Sequence, residues 1–156
     1  MDVNLQVPKP TVKTFPVTGK TRDELRASLN SKRYWARYHP HPSFQQKEKD
    51  GTVLAVRIVA KPVIEYPAWK DYAKAEKDLK KDWDKLLKFM KKHEEMHHKI
   101  FEKAVKDFAK HLQKAEDHTP EMVKARILAF FDTLEERQKK VHDKFPKGDG
   151  HKIISG

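Results

Sequence analysis

His93-Glu94-Glu95-Met96-His97 lies in the middle of the longest helical stretch of the chain, and the residues around it decide the architecture. From Trp69 to Leu112 the apolar residues recur as Trp69, Tyr72, Leu79, Trp83, Leu86 and Met90, then as Ile100, Phe101, Ala104, Phe108 and Leu112. Steps of three and four residues mark a helix with one buried face. Continued between Met90 and Ile100, the seam falls on His93 and His97, so two imidazoles occupy positions that call for Leu or Ile. Burying them side by side without partners is costly, and a shared metal ion supplies the partner. Positions i and i+4 share a helix face, so both rings of His-Glu-x-x-His point at one ion while Glu94 reaches a water on it.

Outside this stretch, composition sets the bounds. A chain of 156 residues is most simply one domain with a real core. Charged residues make up 37%, yet eight Phe, three Trp and four Tyr exclude wholesale disorder. The net charge of +11 suggests attraction to polyanions such as nucleic acid, an anionic membrane or envelope polymers. Set against this, the lysines alternate with acids, which favours plain solvated helix faces and makes nucleic acid an unlikely partner. The absence of cysteine removes disulfide scaffolds, Cys-zinc sites and thiol nucleophiles. Met1 to Pro10 has neither a basic start nor an apolar run, so no signal peptide is visible. No apolar stretch approaches the ~20 residues of a membrane span.

Residues 1–10, with two prolines, read as a flexible leader to a single domain over 11–156. Its sheet part covers about 11–66, its helical part about 67–145 and a flexible tail 146–156. Thr11 to Val17 alternates as a short strand, which Pro16 places at an edge. Thr21-Arg22-Asp23-Glu24 is a capping box opening a short helix through Leu25 and Leu29. Arg33 to Tyr38 is a candidate second strand, followed by a loop at His39-Pro40-His41-Pro42. Asp50-Gly51 signals a turn into Thr52–Ala60, the most strand-like run. Pro67 is expected to start the long helix, running from about Ala68 to Ala115. Thr119 caps a second helix at Pro120 that carries Val123, Ile127, Phe130, Phe131, Leu134 and Val141. The expected fold is α+β, a small antiparallel sheet packed on two long antiparallel helices.

The same residues resemble a known family, the bacterial domain-of-unknown-function family 922, described as predicted secreted zinc-dependent proteases. Phe15-Pro-Val-Thr-Gly-Lys-Thr-Arg-Asp-Glu-Leu-Arg is similar to the family's opening aromatic-x-Val-x-Gly-x-Thr-x-x-Glu-Leu. Tyr66-Pro-Ala-Trp69 resembles its Leu-Pro-x-Trp step, and Leu79-x-x-x-Trp83 stands ten residues before His93-Glu-x-x-His97 as in the family. His142-Asp143 and Gly150-His151 resemble an ending of the form Tyr-Asp-x-x-Thr-x-His-Gly. Here the chain departs: His142 replaces Tyr, the Thr is absent and the Asp-to-His spacing is longer. The resemblance covers roughly residues 15–151. It implies a zincin-like fold, Zn2+ as cofactor, a peptide or protein substrate, and a secreted or periplasmic location.

A zinc hydrolase site needs three protein ligands and an open position. His93 and His97 supply two, and Glu94 is the general base toward the zinc-bound water. No His follows at the spacing of a Gly-x-x-His extension, which excludes a metzincin. Candidates for the third ligand come from the second helix or the tail: His151, Asp143, His142, Glu135, Glu136 and Asp132. The resemblance ranks His151 first and Asp143 next. His98 points about 100° away from His97 and is not expected to be a ligand. His39 and His41 read as a surface loop before a metal site, and the large aromatics of the seam as core. The Thr52–Ala60 strand is expected to border the cleft and pair with an extended substrate. The leading expectation is therefore a metallopeptidase. Its alternatives are a non-catalytic metal-containing binding domain and a basic helical protein that binds polyanions.

Overall fold

Prolines interrupt every strand of this chain at one level. A proline has no N–H to donate to a ladder, so a strand that reaches one loses that rung. The computed structural model describes residues 1–144 and 153–154, the side chains of 142–144 excepted. Its strands are β1 (Asp2–Gln6), β2 (Thr11–Val17), β3 (Arg37–His39), β4 (Pro42–Lys49), β5 (Thr52–Ala60) and β6 (Val63–Trp69). They form two three-stranded sheets, ordered β1-β5-β4 and β2-β6-β3. Each strand of the first sheet continues along the chain into one of the second. Pro8 and Pro10 separate β1 from β2, Pro40 separates β3 from β4, and Pro62 separates β5 from β6. The breaks are tied laterally, because Thr11 N donates to Pro62 O at 2.9 Å and Lys61 N to Pro40 O at 3.0 Å.

Several expectations are corrected here. The sheet is not purely antiparallel: β1 pairs parallel with β5 and β2 parallel with β6, while β4 and β3 are the antiparallel partners. The expected flexible leader supplies β1, whose Asp2–Gln6 lie opposite Ala55–Val59. Strand β4 was not anticipated because its sequence is polar, as suits an edge strand with one solvated face. The Asp50-Gly51 turn closes the β4–β5 hairpin with φ of 51° and 77°, the left-handed pair of a type I′ turn.

The long helix, α2 (Lys77–Lys114), starts nine residues later than Pro67 suggests, since 68 is replaced by 77. Pro67 instead lies within β6, opposite Phe15 of β2. β3 pairs only with Val63–Glu65, so the missing N–H of Pro67 breaks no ladder on that side. Trp69 is thus a strand residue. Its indole donates to Gly19 O at 2.9 Å and packs on Trp83 of α2, ring centroids 5.5 Å apart.

At 1.5 Å per residue, α2 is about 57 Å long, close to the roughly 59 Å reach of the β5–β6 run at 3.3 Å per residue. One helix therefore covers both half-sheets. Its first half joins β2, β6 and α1 (Arg22–Asn30) in one apolar cluster that includes Leu79, Trp83, Leu86 and Met90. Its second half joins β5 and α3 (Pro120–Lys144) in another, which includes Phe101, Val105, Phe108 and Leu112. α3 is capped as expected, with Thr119 Oγ1 accepting from Met122 N at 3.4 Å. Phe130 of α3 stacks on Phe108, centroids 4.7 Å apart. Ile154 is buried in the first cluster, and its carbonyl accepts from Arg22, which also pairs with Asp82 at 2.7 Å. No helix among the described residues is long and apolar enough to cross a membrane.

Gly19 joins β2 to α1 at φ +141°, and a Cβ there would stand 2.4 Å from Leu25 N. Its N–H also donates to Asp71 at 2.8 Å. Gly19→Ala should therefore destabilise the fold by about 2 kcal/mol or more, measured by denaturant unfolding followed on Trp fluorescence. An unchanged midpoint would show that the β2–α1 junction relaxes freely.

Candidate metal centre

The motif lies where neither cluster reaches. The last fully apolar contact of the first half is Met90, and Phe101 opens the second. Between them the buried positions of α2 are Glu94 and His97, 6% and 5% exposed, whereas His93 is half-buried. The seam thus runs Met90, Glu94, His97, Phe101, which corrects the expectation that it passes through both histidines. His93 reaches the same place from one residue off the seam, with Phe89 stacked beside it.

The two rings converge. His93 Nε2 and His97 Nε2 are 3.1 Å apart, with the rings edge to face. Two nitrogens at about 2.0–2.1 Å from one ion in a tetrahedral shell stand about 3.3 Å apart, so the pair needs little movement to share a metal. Gln138 of α3 sets the tautomer. Its amide nitrogen donates to His97 O at 3.1 Å, a bond that only the NH2 end makes. The amide oxygen then faces His97 Nδ1 and accepts from it. His97 therefore carries its proton on Nδ1 and directs a lone pair from Nε2 at His93. Without metal, His93 Nε2–H is the donor of that contact; with metal, the ion takes the proton's place. The two imidazoles are donors of the kind zinc takes.

Glu94, one turn from His97 on the same face, lines an open cleft of about 560 Å³ together with His97 and Gln138. The segment from Tyr34 to Pro40 forms one side, and Phe131, Leu134 and Glu135 of α3 the other. Burial pushes the Glu94 carboxyl up to about 7. Tyr66 on β6 is pushed up to about 12, first by burial and then by the carboxylates of Glu95 and Glu94. His98 faces elsewhere: Tyr38 OH lies 2.8 Å from its Nδ1, and burial lowers its pKa against the pull of Glu102.

The other expected residues are distributed as follows. His151 and the side chains of Asp143 and His142 lie outside the described residues. Asp132, Glu135 and Glu136 are exposed on α3, and among the described residues no three His, Asp or Glu side chains form a group able to hold a metal. His39 and His41 stack on each other, centroids 4.0 Å apart. The strand expected to border the cleft does not, because β5 is paired on both sides, by β1 and β4. The strand on the cleft is β3, an edge strand, through Arg37 and Tyr38. Gln138 was missed, although a signal existed. It interrupts the α3 seam Ile127, Phe130, Leu134, Val141 at a step of four, as His97 interrupts that of α2.

A carboxyl whose folded pKa is raised above its unfolded value favours the folded state while protonated, and that contribution is lost as pH rises through the folded pKa. Metal-free protein should therefore lose on the order of 2–3 kcal/mol between pH 4.5 and 7 on account of Glu94. Glu94→Gln should remove that slope and be the more stable protein at pH 8. Denaturant midpoints of both chelated proteins across this range check it; parallel curves would contradict the burial of an ionisable Glu94.

No curated protein and no solved structure matches the chain. A family model described as a bacterial protein of unknown function (DUF922) matches residues 12–152. The match takes in β3 to β6, nearly all of β2 and the whole of α2, so the chain belongs to the DUF922 family of bacterial proteins.

Proposed function

We propose that this protein is a zinc-dependent metallopeptidase that hydrolyses peptide bonds, with Glu94 as general base. In this reading the fold is zincin-like, with α2 and α3 antiparallel around the site. The observation that carries it is the convergence of His93 Nε2 and His97 Nε2 at 3.1 Å, with Gln138 holding the His97 proton on the opposite nitrogen. With its proton held on Nδ1, His97 offers Nε2 to an ion that His93 Nε2 reaches from the neighbouring turn.

When bound, zinc supplies Lewis-acid polarisation of the scissile carbonyl and lowers the pKa of water toward neutrality. The rest is work for the chain. Glu94, with a carboxyl brought to about 7, accepts a proton from the attacking water and passes it to the leaving nitrogen. Gln138 keeps His97 in the ligating tautomer. Phe131 and Leu134 offer an apolar wall to a substrate side chain, and β3 offers an edge to its backbone. His151 is the proposed third ligand, with Asp143 next. What supports the tail is the anchoring of Ile153 and Ile154, two and three residues beyond His151, on the cluster that contains Met90.

On a mixed peptide library, Glu94→Gln should lose about 10²-fold or more of the turnover while retaining zinc. Gln138→Leu should weaken zinc binding about 10- to 100-fold, and Gln138→Glu, which keeps an acceptor for His97 Nδ1, should recover most of it. Full turnover in Glu94→Gln would exclude this mechanism.

A further inference from the structure

The face of α2 opposite the site carries a regular pattern of charge. Lys77, Lys81, Lys85, Lys88, Lys92, Lys99, Lys103, Lys106, Lys110 and Lys114 are all exposed. At 3.6 residues per turn they fall within an arc of about 100°, diametrically across the helix from the buried seam. They form a band about 55 Å long at 1.5 Å per residue. The only acids in that arc, Asp78 and Glu95, sit at its edges. The one turn without a lysine lies between Lys92 and Lys99.

A face selected for helix stability and solubility alternates Glu and Lys at i and i+4, since opposite charges stabilise the helix and like charges there cost about 0.2–0.5 kcal/mol per pair. Here acids do stand three or four residues from eight of the ten, but they lie at or beyond the edges of the arc, and along its middle like charges follow one another. Lys77, Lys81 and Lys85 follow one another at four-residue steps, as do Lys88 and Lys92, Lys99 and Lys103, and Lys106, Lys110 and Lys114. Of the ten, only Lys106 has a carboxylate within ion-pair range among the described residues, Glu102 at 3.8 Å. The middle of the arc thus presents positive charge to solvent along the whole helix, which an external anion meets.

We infer that the solvent face of α2 is a docking ridge for a single linear polyanion, an unbranched chain that bears phosphates along its length and carries no bases. The ridge is a narrow band on one straight helix, with room along it for one chain. A duplex winds around its axis once in roughly 34 Å, and its strands would meet a straight row only at a few crossings. Single-stranded nucleic acid is held by aromatic platforms as well as charge, and the ridge contains no aromatic residue and no arginine. A membrane-surface helix buries apolar side chains in the interface, whereas the apolar face of α2 is occupied by the two cores. The ridge lies across the helix from Glu94 and His97, so this docking is independent of the metal reading.

The test measures binding of long-chain inorganic polyphosphate to the full chain over a salt series, beside random duplex DNA, an oligothymidylate and phosphatidylglycerol vesicles. The ridge variant carries Lys81→Ala, Lys85→Ala, Lys88→Ala and Lys92→Ala; the control carries Lys13→Ala, Lys47→Ala, Lys49→Ala and Lys61→Ala, exposed lysines of equal charge off the helix. Polyphosphate should bind the wild type and the control alike and the ridge variant about tenfold or more weakly, with a salt slope smaller by about 0.7 per lysine removed. The ridge variant should itself stay folded and melt close to the wild type, since Ala is the better helix former. Equal loss in the control, tighter binding of either nucleic acid, binding of vesicles alone, or no binding of polyphosphate would each overturn the inference.

Discussion

A single helix has to cover two half-sheets. Because prolines stop all three strands at one level, the apolar surface offered to α2 comes in two patches, and the helix is gripped by Leu79–Met90 at one end and Phe101–Leu112 at the other. The nearly three turns between them face the break, where Pro40 and its neighbours open a cleft instead of closing a core. Polar residues at that point cost the fold little apolar burial that the sheets would have supplied. The position of Glu94 and His97 is thus set by where the ladders end.

That placement also sets the electrostatics. Glu94 is held by a rigid helix with most of its surface removed from water, so its carboxyl is brought near neutrality by burial alone. The same low-dielectric surroundings make the Gln138–His97 pair worth keeping, because a buried imidazole with the wrong tautomer would leave both the amide and the ring unsatisfied. α3 supplies Gln138 at this point because Phe130, stacked on Phe108, fixes the helix two turns earlier. The site is assembled from elements that are already packed, which is what a precise arrangement of ligands requires.

Much of this was legible in the residues. The apolar seam of α2 on either side of the motif, the N-caps at Thr21 and Thr119 and the Asp50-Gly51 turn are local signals, and the structure has each of them. What was not legible depends on partners distant in sequence. Val3 and Leu5 make a strand only because β5 offers an edge to them, so Asp2–Gln6 read as loose. Pro67 announces a helix start by itself, yet lies in β6 because β3 ends before reaching it. Strand β5 looked like an edge for substrate from its own composition, and both its edges are taken. Within the site, Glu94 was assigned by motif and not by burial, since a seam with two equally good continuations after Met90 does not say which is inside. Gln138 required the second seam to be read for its polar interruption, as the first was.

The measurement that bears most directly on this account is zinc per chain, by elemental analysis, in wild type, His93→Ala and His97→Ala. The account predicts one zinc in the wild type and its loss in each variant, with both variants still folded on their two apolar clusters. A folded wild type that takes up no zinc, or a His97→Ala protein that retains it, would contradict the reading of the converging imidazoles as ligands.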